Sequence, residues 1–151
     1  MMQTLSEIES LTLTVTQEIR VKASLAVTFE ALLEQLGQGN EMPDGTPMPM
    51  KLEAVPGGRW YRDLGDGNGH CWGMVQAIKR NSLLEFSGPL FMSSPVANNV
   101  QYRLVDEGDA TIIKFRHSGF GVILDDYRKG VTAGWNYIHE QVRKRAEGSR
   151  S

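Results

Sequence analysis

Along residues 11–22 the sequence LTLTVTQEIRVK places Leu11, Leu13, Val15, Gln17, Ile19 and Val21 on one face and Thr12, Thr14, Thr16, Glu18, Arg20 and Lys22 on the other. Period-two alternation rich in β-branched residues predicts a half-buried strand. The period then changes. In SLAVTFEALLEQLG, Ser24 caps a helix over 25–36, and Gly37 is placed to end it in the left-handed conformation. Residues 41–50, EMPDGTPMPM, hold Pro43, Pro47 and Pro49, which argue against both helix and ladder and predict an ordered, irregular connection.

From 51 to 117 the pattern is strand after strand: KLEAV, RWYRDL, HCWGMVQAIK, SLLEFSG, NVQYRLVD and ATIIKFRHSG. Turn residues separate them at Pro56-Gly57-Gly58, Arg80-Asn81, Pro89 to Pro95 and Glu107-Gly108-Asp109. Val100, Tyr102 and Leu104 share a face, as do Ile113, Phe115 and His117 on the next run, with Lys114 and Arg116 opposite. One dry and one wet face define an antiparallel sheet covered on one side. Over 124–146 a long helix is expected, with Tyr127, Val131, Trp135, Ile138 and Val142 as its apolar stripe and His139 among the charged residues at the surface. Strand, helix, about six antiparallel strands and a long helix make an α+β layout, in which the last helix lies across the sheet.

The stretch GGRWYRDLGDGNGHCWG (57–73) tests three chemistries. A phosphate loop requires a helix after the glycines, and here a strand follows. An EF-hand calcium register puts Leu64 and Val75 at ligand positions, so it fails. Asp66-Gly67 and Asn68-Gly69 are positive-φ turn dipeptides, and a hairpin tip accounts for them.

Composition narrows the class further. The chain has 151 residues, a net charge of −2 and one cysteine, Cys71. That is one domain, with no basic excess to suggest nucleic acid and no internal disulfide. The N-terminus lacks the basic and apolar regions of a signal peptide, and no apolar run is long enough to span a membrane. A cytoplasmic location follows as the expectation. The organisation expected is a flexible segment over 1–10, one domain over 11–146 and a disordered tail over 147–151.

PGGRWYRDLGDGNGHCWGMVQAIKRNSLLEF, the closing VQYRLVDEGDATIIKFRHSGF with YRKGVTAGWNYIHEQV, and the opening IRVKASLAVTFEAL are similar to the activator-of-heat-shock-protein-90-ATPase-like branch of the START-related (SRPBCC, Bet v-like) superfamily. The resemblance spans about residues 19–144. Two departures stand out: Lys79 to Ser82 replaces the branch's usual proline pair, and the Pro/Met stretch replaces a compact connection, which bears on a pocket mouth. The resemblance implies a helix-grip fold, a curved antiparallel sheet of about seven strands around the C-terminal helix. It also implies a cavity between sheet and helix for apolar or amphipathic molecules. Ligand carriers, chaperone cofactors and a few enzymes share this frame.

The residues themselves offer little catalytic chemistry. No nucleophile elbow surrounds Ser93-Ser94 or Ser118, and Asp125-Asp126 fit helix capping. His70 and Cys71 are strand neighbours facing opposite ways, so no metal site and no cofactor are expected. The pocket candidates are Trp60, Arg62, Trp72, Met74, Phe86, Tyr102, Phe115, His117, Trp135 and Ile138. Arg62, Tyr102 and His117 are the groups able to orient a ligand's polar end. The facing of Arg62 is open, because a bulge near Gly58 would change its parity. His117 reads first as a hydrogen-bonded histidine at a strand end. Met42, Met48, Met50, Met74 and Met92 gather around loops and strand ends, where their adaptable side chains suit a malleable pocket. The expectation is non-catalytic binding of a small apolar or amphipathic molecule. A chaperone-activating interaction module is the alternative, and an enzyme using the same pocket through His117 is a weaker one.

Overall fold

The computed structural model describes residues 5–148. A short helix α1 (Leu5–Ser10) leads into β1 (Thr12–Val21) and α2 (Leu25–Leu36). Then come β2 (Lys51–Leu52), β3 (Arg59–Gly65), β4 (Asn68–Lys79), β5 (Leu83–Gly88), β6 (Val96–Asp106) and β7 (Thr111–Gly121), and α3 (Asp125–Gly148) closes the chain. The strands form one antiparallel sheet in the order β1-β7-β6-β5-β4-β3-β2, curved around α3 in a helix-grip fold. β2 to β7 run as a meander, so each strand pairs with its neighbour in sequence; β1 closes the far edge against β7.

The ends differ from expectation. Residues 5–10 are helical where a flexible segment was expected, and Arg128 holds them by donating to the Ser10 and Thr12 carbonyls. Glu147 and Gly148 belong to α3, not to a tail; Glu147 accepts the Lys22 N–H at 3.0 Å, tying the last helical turn to the exit of β1. The rest of that tail lies outside the described residues.

Helix α2 begins as read, with Ser24 Oγ accepting the Val27 N–H at 3.2 Å. It ends at Gly37 with φ −101°, not in the left-handed region. The glycine serves close packing instead, since a Cβ there would stand 3.0 Å from the Leu33 carbonyl oxygen. The Gly-rich stretch is a hairpin whose two tip residues, Asp66 (φ 55°) and Gly67 (φ 78°), are both positive, as a two-residue turn matched to strand twist requires.

β4 is the irregular strand. Trp60 pairs with Gly73 and Tyr61 with Cys71, leaving Trp72 as an extra residue; Val75 pairs with Phe86 and Ala77 with Glu85, leaving Gln76 extra. Each bulge resets the in–out alternation. Val75 and Ile78 therefore both belong to the core, Trp72 turns to meet Trp60 with ring centroids 5.2 Å apart, and Met74 is left outside, 51% exposed.

The stripe on α3 needs a correction. Val131, Trp135, His139, Val142 and Ala146 are buried, whereas Tyr127 and Ile138 are only partly so. His139, expected at the surface, is 1% exposed.

Candidate functional site

Two buried histidines flank Trp135. The Trp135 indole N–H donates to His117 Nδ1 at 3.0 Å, so that nitrogen carries a lone pair; Nε2 then holds the proton and donates to Asn98 Oδ1 at 2.7 Å. Asn98 in turn donates to the Pro89 carbonyl. On the other side His139 stacks on Trp135 at 5.8 Å and 11°. Its Nδ1–H donates to Gln17 Oε1 at 2.6 Å, and its Nε2 accepts the Tyr102 hydroxyl at 3.0 Å. Burial pushes His117 down to about 4 and His139 down to about 3, and raises the Tyr102 phenol well above its usual value. Both imidazoles are neutral and fully partnered, which is how a polar ring is tolerated in a core. Tyr102→Phe is therefore expected to destabilise the fold by ~1–3 kcal/mol, because His139 Nε2 is left without a donor. Urea unfolding at pH 7 measures it, and a change within experimental error would remove the hydrogen bond from the account.

The space beneath Trp135 is filled by this network together with Phe115, whose ring packs 4.8 Å from Trp135, and Tyr102, 5.0 Å from Phe115. Open volume lies at one end of α3, in an apolar cleft of about 330 Å³. One wall is the α3 face carrying Tyr127, Gly130, Val131, Gly134, Trp135 and Ile138. The opposite wall is the irregular stretch with Met42 and Met48, and Trp72 and Phe91 line the sheet side. Local chain geometry builds that side. The β4 bulge delivers Trp72, and Leu90, buried with φ 57°, turns the chain so that Phe91 follows into the cleft. A positive φ at a leucine is a strained conformation costing ~1–3 kcal/mol, of a kind that clusters at binding sites. Trp72, Phe91 and Tyr127 then stand edge to face in sequence, each step 5.8 Å.

Gly130 and Gly134 are the unusual part of this wall. A Cβ at either would meet no atom within 4 Å, so packing does not require glycine there. Glycine inside a helix is unfavourable by roughly 0.5–1 kcal/mol relative to alanine. The bare backbone instead widens the cleft.

Of the expected pocket residues, Trp72, Trp135 and Ile138 line this cleft. Trp60, Phe86, Tyr102 and Phe115 are core: Trp60 stacks on Phe86 at 4.5 Å and donates its indole N–H to the Leu36 carbonyl. His117 is core as well, committed to Asn98 and Trp135 and not to a ligand. Arg62 donates to the Pro49 carbonyl at 2.7 Å and braces the irregular stretch from outside the cleft. Met74 faces away because the Trp72 bulge separates it from its parity partner. Met50 and Met92 are buried in the core. The sequence placed Tyr127 in the helix's apolar stripe but not in a pocket, and it did not single out Phe91 or the two glycines; the glycines at helical spacing four were the available signal. Among the described residues no three His, Cys, Asp or Glu side chains gather as a metal site, and no helix is long and apolar enough to cross a membrane.

A curved antiparallel sheet gripping one long helix, with an apolar cleft at that helix's end, defines a protein of the START-related helix-grip class. The chain belongs to the family described as Activator of Hsp90 ATPase homolog 1-like protein, whose profile matches residues 22–147. Among curated proteins no sequence relative matches at significance. Solved structures show the same fold at low identity. Protein MLL2253 from Mesorhizobium loti superposes with a TM-score of 0.71 at 18% identity, covering 92% of this chain and 100% of that one. The Aha1 dimer from Colwellia psychrerythraea gives 0.65 at 15%, covering 92% and 99%. The di-domain aromatase/cyclase StfQ of the steffimycin biosynthetic pathway gives 0.67 at 12%, covering 95% of this chain and 53% of that one.

Proposed function

We propose that the protein binds a small apolar or amphipathic molecule in the cleft beside α3, without chemistry on it. The observation that carries this is the pair Gly130 and Gly134, where the helix forgoes side chains that would stabilise it and leaves about 330 Å³ of aromatic-walled space open. That volume lies at the small end of the range for ligand sites. Burial of apolar ligand surface at about 25 cal/mol per Å² drives association. Support also comes from the fold shared with StfQ, which belongs to a biosynthetic pathway for a small molecule.

Two results test it. Gly130→Ala and Gly134→Ala are each expected to raise stability by about 0.5–1 kcal/mol, or ~1–4 °C in melting temperature. Gly134→Leu is expected to fold, since a Cβ there meets no atom within 4 Å, and to lose ligand binding, since the longer side chain takes up cleft volume. For the unaltered protein, a ligand at a hundred times its dissociation constant adds ~2.7 kcal/mol, a rise of roughly 5–11 °C. Destabilisation by both alanines would show that the glycines serve the fold, and the reading would lose its support.

A second reading rests on a different surface. Phe120 (59% exposed) near the end of β7, with Val122 and Leu124 before α3, forms an exposed apolar run, and the family description points to a chaperone ATPase as partner. Stimulation of such an ATPase by the purified protein would decide for an interaction module.

A further inference from the structure

The charge around the cleft narrows what it takes. Glu41 and Asp126 line it, and no Lys, Arg or His does. Neither carboxylate is ion-paired among the described residues, unlike Glu53 with Arg59, Asp63 with Lys51 and Glu140 with Arg143. Lys129, one turn along α3 from Asp126, neither lines the cleft nor forms an ion pair among the described residues, and three arginines bond elsewhere. Arg62 donates to the Pro49 carbonyl, Arg128 to the Ser10 and Thr12 carbonyls, and Arg145 to Gln35. Tyr137 also lines the cleft, and its phenol is raised first by desolvation and then by Glu41 and the charge of Asp44.

From this geometry we infer that the cleft selects an amphipathic cation, a flat apolar body bearing a protonated amine. The inference rests on the binding reading above. Trp72, Phe91, Tyr127, Trp135 and Tyr137 supply five ring systems, whose negative faces attract a cation as well as an apolar surface. The amine sits at the rim between Glu41 and Asp126, and the rings take the body. One effect opposes this. Asp126 stands in the first turn of α3, where the helix dipole is worth about half a positive charge. Two full negative charges outweigh it. A fatty acid or other carboxylate meets two anions and no basic side chain in the lining, so the cleft disfavours it.

The test is isothermal titration of the full chain at pH 7 with three probes sharing one body: 2-naphthylmethylamine, 2-naphthylmethanol and 2-naphthoate. The amine is expected to bind about tenfold more tightly than the alcohol, from a partly exposed ion pair plus cation–π attraction, and the carboxylate more weakly than either. In the double variant Glu41→Gln, Asp126→Asn the ratio of amine to alcohol affinity should fall towards one, and added salt should lower it in the unaltered protein. Equal affinities for all three probes, or a preference for the carboxylate, would overturn the charge inference and leave binding in the cleft standing. Failure of every probe to bind would remove both.

Discussion

Acidification from pH 7 to about 3 is expected to remove on the order of 5–8 kcal/mol of folding stability, with the loss beginning near pH 6.5. The cause is His117 and His139, which stay neutral in the fold down to about 4 and about 3. In the unfolded chain they take a proton near the ordinary value of 6.5. Below that value the unfolded state binds more protons than the folded state, so stability falls as pH falls. Each histidine contributes ~1.4 kcal/mol per pH unit until the pH reaches its own folded value. Since typical domains are stable by 5–15 kcal/mol in total, acid unfolding is expected within this window. Glu53, Asp63 and Glu140, each held below its usual range chiefly by a hydrogen bond from a basic partner, lose their stabilisation only lower, through the carboxylate range. Urea unfolding at half-unit steps from pH 7 to 3 separates the two. A stability flat from pH 7 to 4.5 would show that the histidines are not buried as neutral rings.

Trp135→Ala should carry the largest cost of any single truncation at the site. It removes a large side chain 3% exposed, worth ~3–5 kcal/mol by transfer and cavity effects. It also leaves His117 Nδ1 without its donor, adding ~1–3 kcal/mol. Because so large a loss can abolish folding, Trp135→Phe is the informative companion. It keeps an aromatic ring between His139 and Phe115 but loses the N–H, and is expected to destabilise by the hydrogen-bond share plus a small packing loss. A Trp135→Phe protein within 0.5 kcal/mol of the unaltered one would mean that the Trp135–His117 bond contributes nothing.

The periodicities carried most of the fold. Alternation over 11–22 and helical spacing over 25–36 appear in the structure as β1 and α2, and the meander of strands matches the turn dipeptides. Sequence parity stopped being a guide in β4. Each bulge there inserts one residue without changing composition, so Trp72 and Met74 look equivalent on paper and end on opposite sides of the sheet. His139 misled for a different reason. Both 131-135-138-142 and 131-135-139-142 are helical stripes, and the choice depended on partners more than a hundred and about forty residues away, Gln17 and Tyr102. Trp135 was legible as the helix's anchor. That the volume under it is filled, and that the open space lies beside it, depends on where Met42, Met48 and Phe91 come to rest, which no local pattern encodes.

The two glycines also divide α3 into halves of unequal firmness. The C-terminal half is tied down by Val142, Ala146, the Arg143 ion pairs to Glu140 and Glu147, and the Glu147 bond to Lys22. The N-terminal half holds Gly130 and Gly134, each weakening the helix where it borders the cleft. Backbone amides over 127–134 should therefore exchange with solvent well before those over 139–146, through local openings that leave the sheet intact. For the ligand proposed above, such openings would be a way in and out that costs far less than unfolding, and the door would be the same stretch of helix that forms the wall.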